Sequence, residues 1–474
     1  MSGLFDIEEI KKNHQKMVQM GPRLTGSAAH KEFIESIKRE LTAIGLEPKT
    51  DTLHFKRWEP GRWALSFSDG GKNTEAESAS YYPYSGCTPP EGVTAKLKYS
   101  GKRGLSAFLG VRNKIAVVSM PVFEAGIGLV FKKRAGFPAD FEPPKKQGSP
   151  VVATFVISPN IGLARFMGAK GVVCVMRGIS RDNARNQYLP FIKRYAGIPA
   201  LWVDEEEGAK IIEAAKRREE ATLTLDASVY ENADTETVYA VLPGKDPKKT
   251  IIINTHTDGS NAFEENAPIA LLSLARYFAA KPVEEREHTL VFSFITGHFQ
   301  LHQFGSGLFQ ATGKFLRRHP ELWNGKNGGA LATAGVALEH LGCTEWRDTP
   351  DKKQFVQVSE IDPELVYTSN QKMAEIYLDA IKDRTQTKTL VLRPKNMVHF
   401  GEGQPIWKVG IPSIALCPGP DYLCNNAPSG YIEKTNYTLF SEQIETFKRV
   451  IETLDKKSRA ELGKSDGSAF GFKF

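Results

Sequence analysis

The sequence predicts an α/β protein of three layers, in which a mainly parallel sheet is covered by helices on both faces. After residue 236, short apolar segments of strand type alternate with amphipathic segments of helix type, the pattern of a parallel sheet. Between residues 95 and 227, short apolar runs alternate with Pro-, Gly- and Lys-rich loops, which indicates a β-rich insertion. We therefore expect four segments: 1–94, 95–227, 228–460 and a tail at 461–474.

The composition is that of an ordinary folded protein, because 41% of the 474 residues are hydrophobic and 25% are charged. The formal net charge of +7 is mild for this length and predicts no nucleic-acid partner. No apolar run approaches the ~18 residues of a spanning helix, so we expect no membrane partner. The first residues lack the features of a secretory signal, and the five scattered cysteines favour reduced thiols, so we expect a cytoplasmic protein.

Two helices are predicted at the start of the chain. Apolar residues recur at helical spacing over residues 7–20 and again over 33–44. A loop at 21–27 separates the two helices, and residues 49–67 are predicted to be extended.

Strands and one helix are predicted within the insertion. The apolar runs Ile115–Ser119, Gly171–Met176 and Ile198–Val203 are of the kind that forms buried strands. The segment 131–150 is rich in Pro, Lys and Gly and is predicted to be an exposed loop, whereas 205–218 is predicted to be a charged helix.

The remaining elements alternate between strand and helix. Strands are predicted at 237–242, 250–254, 289–296, 335–338 and 412–416. Helices are predicted at 268–279, 305–318, 365–381 and 440–454.

Polar residues follow the predicted strand at 250–254. His256 and Asp258 lie where a parallel sheet presents its ligand-binding edge. A histidine with a nearby carboxylate suits a metal ligand whose second ring nitrogen is held in place, although a polar strand end that caps a helix is an alternative interpretation. Glu264 and Glu265 precede the next helix and are either capping residues or a further metal ligand.

Five short motifs occur in the order found in the di-zinc aminopeptidases, peptidase family M28. They are Gly21–Ser27, His256–Asp258, Glu264–Asn266, Leu338–Gly342 and Gly410–Pro412. The sequence resembles that family, which is related to glutamate carboxypeptidase, the transferrin receptor and glutaminyl cyclase. Gly168–Val173 and Ile198–Asp204 resemble its protease-associated domain. The resemblance covers most of the chain and implies an aminopeptidase-like domain with a protease-associated insertion at 95–227.

The resemblance implies a reduced metal site. It places the first metal-binding histidine at His256, with Asp258 as its orienting carboxylate, and further ligands at Glu265 and Glu339. The Glu-Glu pair that the family carries after the next strand is replaced by the segment Thr296–His302, and the last metal-binding histidine of the family has no counterpart.

Three interpretations of the site stay open. One zinc ion is held by His256, Glu265 and Glu339 with an open position for water; or His298 or His340 joins a rebuilt centre; or no metal binds. His298 follows a strand and a glycine, and we expect it to line the cleft as a general base. His340 is a weaker catalytic candidate, because strand alternation after Glu339 would turn its side chain away.

These residues predict a hydrolase that acts on an amide or related carbonyl bond of a small molecule or short peptide, with one zinc ion or none. A cyclase or lyase that uses the same cleft, and a catalytically inactive binding protein, are the alternatives. An oligomer is compatible with the sequence.

Overall fold

The computed structural model describes residues 5–126, 128, 131–143, 145–305, 310–395 and 398–467. The strands are β1 Lys49–Asp69, β2 Lys72–Ala76, β3 Ser78–Tyr81, β4 Val93–Tyr99, β5 Ile115–Pro121, β6 Glu124–Gly126, β7 Lys132–Phe137, β8 Lys146–Gly148, β9 Gly171–Arg177, β10 Ala200–Val203, β11 Glu220–Leu242, β12 Asp246–His256, β13 His288–Ile295, β14 Leu331–Leu338, β15 Glu345–Asp348, β16 Phe355–Ser359, β17 Glu364–Thr368, β18 Thr389–Arg393 and β19 Ser413–Leu416.

The helices are α1 Ile7–Gln19, α2 Ala28–Ala43, α3 Pro150–Ile157, α4 Ile161–Phe166, α5 Arg181–Ala184, α6 Glu205–Lys216, α7 Ala267–Ala279, α8 Leu301–Phe304, α9 Thr312–Arg318, α10 Gln371–Ile381, α11 Gln404–Lys408, α12 Tyr437–Asp455 and α13 Arg459–Leu462. Single 3₁₀ turns span Gly104–Phe108, Val283–Glu285, His298–Gln300, Pro320–Leu322 and Ile432–Lys434. None of the helices in these described ranges is long and apolar enough to cross a membrane.

The strands join in the order β3-β10-β9-β5-β4-β11-β13-β12-β14-β19-β17-β18-β7, and β1 pairs with β11 and β2. The centre of this path, β13-β12-β14-β19, is parallel. Antiparallel pairs flank it at β11 and at β17. The predicted α/β class with a mainly parallel central sheet is therefore confirmed.

Successive side chains of a strand point to opposite faces of the sheet, and in the central strands the side chains on both faces are apolar. Helices therefore cover both faces of these strands. In β12, Ile251 and Ile253 pack in the core formed with α7 and α12, whereas Ile252 packs in the core that contains Phe315 of α9 and Ile406 of α11. The three layers follow from this alternation.

The long strand β11 connects two regions of the sheet. Its first residues pair with β4, which continues into β5, β9 and β10, and its last residues pair with β13 of the parallel centre. The boundaries at 95 and 227 stay a prediction. The segment 131–150 is not only a loop, because β7 pairs with β18 at the far edge of the sheet. Lysines are common on such an edge strand, so composition alone indicated a loop.

Two predicted helices differ from the observed ones. Residues 365–381 contain strand β17 followed by α10, which begins where the Asn370 side chain accepts a hydrogen bond from the Met373 amide at 2.9 Å. The branched and aromatic residues of β17 favour a strand over a helix. The predicted helix 305–318 corresponds to α9 at its end, and residues 306–309 lie outside the described residues.

Candidate metal centre

The carboxyl ends of three neighbouring strands carry the candidate site. His256 ends β12, His298 begins the turn after β13, and Glu339 and His340 follow β14. Because β12 pairs in parallel with both β13 and β14, these ends meet at one edge of the sheet.

Five buried side chains converge there, and we refer to them as the histidine–glutamate cluster: His256, Glu264, His298, Glu339 and His340. The two Glu264 oxygens lie 3.4 Å from His298 Nε2 and 3.5 Å from His340 Nε2. Glu339 Oε2 lies 3.6 Å from His256 Nε2 and 3.9 Å from His340 Nε2. Each imidazole therefore turns its Nε2 atom toward a carboxylate of the cluster.

Backbone carbonyl groups orient two of the three imidazoles. His256 Nδ1 donates to the carbonyl oxygen of Asp258 at 3.0 Å, and His340 Nδ1 donates to that of Pro418 at 2.7 Å. A carbonyl can only accept, so the proton of each neutral ring is on Nδ1 and the lone pair is on Nε2. Such outer hydrogen bonds are typical of metal-binding histidines.

His340 reaches the cluster because the strand ends before it. Strand β14 stops at Leu338, and His340 has a left-handed φ of 56°. This conformation breaks the alternation that would have pointed the ring to the opposite side.

His298 is held between two carboxylates. Its Nδ1 atom lies 2.7 Å from Glu402 Oε1, and its ring stacks on His256 with centroids 4.1 Å apart. Burial lowers the pKa of His298, but hydrogen bonds and charge from Glu264 and Glu402 more than offset burial and hold the pKa well above its ordinary value. The expected role of His298 as general base stays a prediction, and the raised pKa favours the protonated ring, which cannot accept a proton.

Glu402 was not predicted as a site residue. Its carboxylate also accepts hydrogen bonds from the amides of Ala311 and Thr312 at 3.2 and 2.7 Å, and its own amide donates to Glu339 Oε1 at 2.6 Å. The glycines on both sides of Glu402 indicate a flexible loop at 399–403 that could reach the cleft, but the sequence does not identify Glu402 as the residue that enters it.

Asp258 orients the site through its backbone and anchors a turn with its side chain. Its carboxylate accepts hydrogen bonds from the amides of Gly297, His298 and Phe299 at 3.0, 3.2 and 2.9 Å, and from Thr25 Oγ1 at 2.5 Å. The expected contact between this carboxylate and the His256 ring is replaced by the Asp258 carbonyl oxygen. Asp258 thus positions the turn that carries His298.

Glu265 faces away from the cluster into a buried ion pair with Arg23. Burial raises the pKa of Glu265 to about 8, although Arg23 opposes the shift. Arg23 also donates to the carbonyl oxygen of Met17 at 2.8 Å. Glu264, and not Glu265, lies within reach of the cluster histidines, and the expected role of Glu265 as a metal ligand stays a prediction.

The donor set fits a zinc ion. Within the part of the chain that the structure describes, His256 Nε2, His340 Nε2 and Glu264 Oε2 are buried without a hydrogen-bond partner, and a cation would satisfy such atoms. Two sets of three have ligand atoms within 4.8 Å of one another: His256, Glu264 and His298, or His256, Glu339 and His340. Ligand atoms of a tetrahedral zinc ion are about 3.4 Å apart. Both sets include His256, whose Nδ1 atom is already bonded to the Asp258 carbonyl oxygen.

Burial shifts the pKa values of several side chains in the histidine–glutamate cluster. Burial lowers the pKa of His256 well below its ordinary value and also lowers that of His340. Burial raises the pKa of Glu339 to about 8. Neutral imidazoles bind a metal ion without releasing a proton, whereas a protonated Glu339 carboxyl group would release its proton on binding.

The cluster opens into a cavity with a mostly apolar lining. Glu264, His298, Glu339 and His340 contribute to its wall. The apolar part of the wall includes Phe131, Val151, Phe155, Leu365, Leu390 and Phe400. A cleft of this composition suits an organic ligand with an apolar group.

Solved structures with the same architecture are zinc aminopeptidases and related peptidases. An aminopeptidase from Aneurinibacillus sp. strain AM-1 aligns over 98% of this chain and 95% of its own at 15% identity, with a TM-score of 0.60. A zinc aminopeptidase from Bacillus subtilis aligns over 96% and 98% at 16% identity, with a TM-score of 0.62. The chain has an aminopeptidase-like fold.

A peptidase M28 precursor from Shewanella amazonensis gives the same result, with 95% and 96% coverage, 15% identity and a TM-score of 0.62. The resemblance inferred from the motifs is thereby confirmed for the fold, and a protease-associated insertion stays a prediction. No protein-family model matches the sequence, and no curated protein matches it.

Proposed function

We propose that the chain is a hydrolase with one zinc ion that cleaves an amide or related carbonyl bond in a small molecule or short peptide. The observation that carries this proposal is the convergence of three Nε2 atoms on two buried carboxyl groups, two of these nitrogens having no hydrogen-bond partner among the described residues. The fold shared with zinc aminopeptidases supports it.

His256, Glu339 and His340 are the proposed zinc ligands. The Nε2 atoms of His256 and His340 have no hydrogen-bond partner among the described residues, whereas His298 is already hydrogen-bonded to Glu402 through Nδ1. In this assignment Glu265 is no longer a ligand, and His340 changes from a catalytic candidate to a ligand. Zinc in such a site supplies Lewis-acid polarisation of a carbonyl group and activation of water.

Glu264 and His298 are the proposed proton-handling pair. Glu264 Oε2 is buried at the wall of the cleft and has no hydrogen-bond partner among the described residues, so it can accept a proton there. His298 Nε2 lies 3.4 Å from Glu264 Oε1, which brings the two side chains together at the wall of the cleft. Glu264 would take a proton from the attacking group, and the His298 imidazolium would supply one to the leaving group.

The partly open cavity supports a small-molecule or short-peptide substrate, and the five free cysteines support a cytoplasmic location. A metal-independent cyclase or lyase and an inactive binding protein remain the alternatives. Turnover and metal content together separate them.

The test is metal analysis of the purified protein, combined with hydrolysis assays on amides and short peptides with apolar side chains. We expect about one zinc per chain, activity that a chelator removes and zinc restores, and loss of both in His256→Ala. The matched control is His54→Ala, which removes an exposed histidine far along the chain from the cluster. Activity that survives complete removal of metal would contradict the proposal, and bound zinc without turnover of any amide would favour a binding protein.

A further inference from the structure

The region built on β5 and β9 has two different faces. Ile115 and Val117 of β5 pack in a core that contains Ile211 of α6, whereas Ala116 and Val118 pack in a second core on the other side. That second core includes Phe108 of the turn Gly104–Phe108, Ala153 of α3 and Ala164 of α4. The turn and these two short helices therefore cover the face opposite to α6.

Large apolar side chains protrude from this covering layer. Phe166 is 86% exposed, Val156 is 63%, Leu105 is 62% and Leu109 is 51%. Large apolar residues with this exposure in neighbouring elements commonly mark an interaction surface.

Backbone hydrogen bonds hold the two parts of the layer together. The amide of Asn113 donates to the carbonyl oxygen of Gly168 at 2.8 Å, and the amide of Lys170 donates to that of Lys114 at 2.8 Å. The end of α4, which carries Phe166, thus lies beside the segment that follows Leu109.

All charged residues of this layer are basic. Residues 102–114 and 150–170 contain no Asp or Glu, and they contain the cations Lys102, Arg103, Arg112, Lys114, Arg165 and Lys170. In the described part of the chain none of these six forms an ion pair with a carboxylate, in contrast to Lys210 and Lys216 on the opposite face. Helix α6 on that opposite face carries four glutamates and two lysines.

We propose that this layer docks on the surface of a bilayer that contains anionic lipids. The docking surface, called the basic-apolar face, consists of the four exposed apolar side chains and the six cations named above. Exposed apolar side chains enter the boundary between headgroups and acyl chains, and surrounding cations bind the negative headgroups. Charge complementarity favours this partner, because an apolar protein interface would not require six cations that have no carboxylate partner in the described part of the chain. The sequence predicted no membrane partner because it lacks a long apolar run, a criterion that does not detect surface docking, and the whole-chain charge of +7 conceals the local surplus of cations.

The proposal is independent of the hydrolase function and is tested by co-sedimentation of the full chain with vesicles. We expect binding to vesicles of phosphatidylglycerol and phosphatidylcholine, weakened by added salt, and little binding to phosphatidylcholine alone. Arg165→Glu with Lys170→Glu should lower the partition coefficient by at least about 25-fold, since each cation near an anionic surface contributes about fivefold. Phe166→Ser with Leu105→Ser should lower it by about tenfold or more.

The matched controls are Lys216→Glu on α6 and Val358→Ser on strand β16, which alter an exposed cation and an exposed apolar residue elsewhere. Both should bind like the unmodified protein, and all variants should keep their melting temperature because the changed side chains are exposed. Equal binding to both vesicle types, or unchanged binding by the two double variants, would overturn the proposal. A protein that does not bind vesicles, but forms a concentration-dependent dimer or binds single-stranded RNA, would also overturn the proposal.

Discussion

At the scale of single residues, the carboxylates of the site differ in what they face. Glu339 faces His256 and His340, Glu264 faces His298 and His340, and Glu265 faces Arg23. Three neighbouring carboxylates therefore have three proposed roles, as ligand, proton acceptor and structural ion-pair partner.

Amide replacements separate these roles. Glu339→Gln should lose zinc and activity together. Glu264→Gln should keep zinc and lose on the order of 10²–10⁴-fold in turnover, because the amide cannot accept a proton. Glu265→Gln should keep zinc and most activity, and serves as the matched control. Metal content and turnover of the three variants check this, and a Glu265→Gln protein without zinc would restore Glu265 as the ligand.

The protonation of His298 is a second test at this scale. Because its folded pKa is raised, His298 should be protonated at pH 7 in the metal-free protein, and its ion pairs should stabilise the fold fully below about pH 6.5. That stability is lost as pH rises through the folded pKa. Glu402→Gln should lower the pKa, as measured by NMR titration of the ring.

His399 is the internal reference for that titration. Burial lowers the pKa of His399 to about 4, so its ring should be neutral at pH 7 in the same sample. A neutral His298 at pH 7 in the metal-free protein would contradict the proposed proton-handling pair.

At the scale of elements, the site residues at strand ends could be predicted from the sequence, whereas the loop residue that contacts them could not. The apolar run before His256 predicted β12, and the order of the motifs predicted that β14 carries Glu339. The alternation rule failed at His340 because the chain turns left-handed directly after β14. Glu402 comes from a loop between β18 and α11, and the sequence contained no local signal for the contact with His298.

Gly401 in that loop allows the contact between Glu402 and Glu339. Its φ is 78°, and a Cβ atom there would lie 2.6 Å from Glu339 Oε2 and 2.8 Å from Cys417 Sγ. Gly401→Ala should therefore displace the Glu339 carboxylate and reduce zinc content as well as stability. Gly410→Ala is the matched control, because Gly410 has a similar φ of 81° with open space around it.

Both alanine variants should lose about 1 kcal/mol or more of unfolding free energy from the strained φ. Only Gly401→Ala should lose zinc. Equal zinc content in the two variants would show that the Gly401 loop does not position the ligand.

At the scale of the whole molecule, the fold follows from regularities that act along the entire chain. Alternating strand and helix signals after residue 236 predicted the parallel centre, and the motif order predicted the aminopeptidase-like fold. Edge pairing was missed, because β7 joins the main sheet from within the predicted loop 131–150. Local charge was missed as well, because averaging over 474 residues removes the contrast between the two faces of the β5–β9 region.

The central claim is that one zinc ion is bound between the strand ends. An anomalous-difference map at the zinc edge, from crystals grown with zinc, tests it most directly. We predict one peak per chain, bonded to His256 Nε2, His340 Nε2 and Glu339, with Glu265 still paired to Arg23. Two peaks, a peak at Glu265, or no peak in the histidine–glutamate cluster would contradict it.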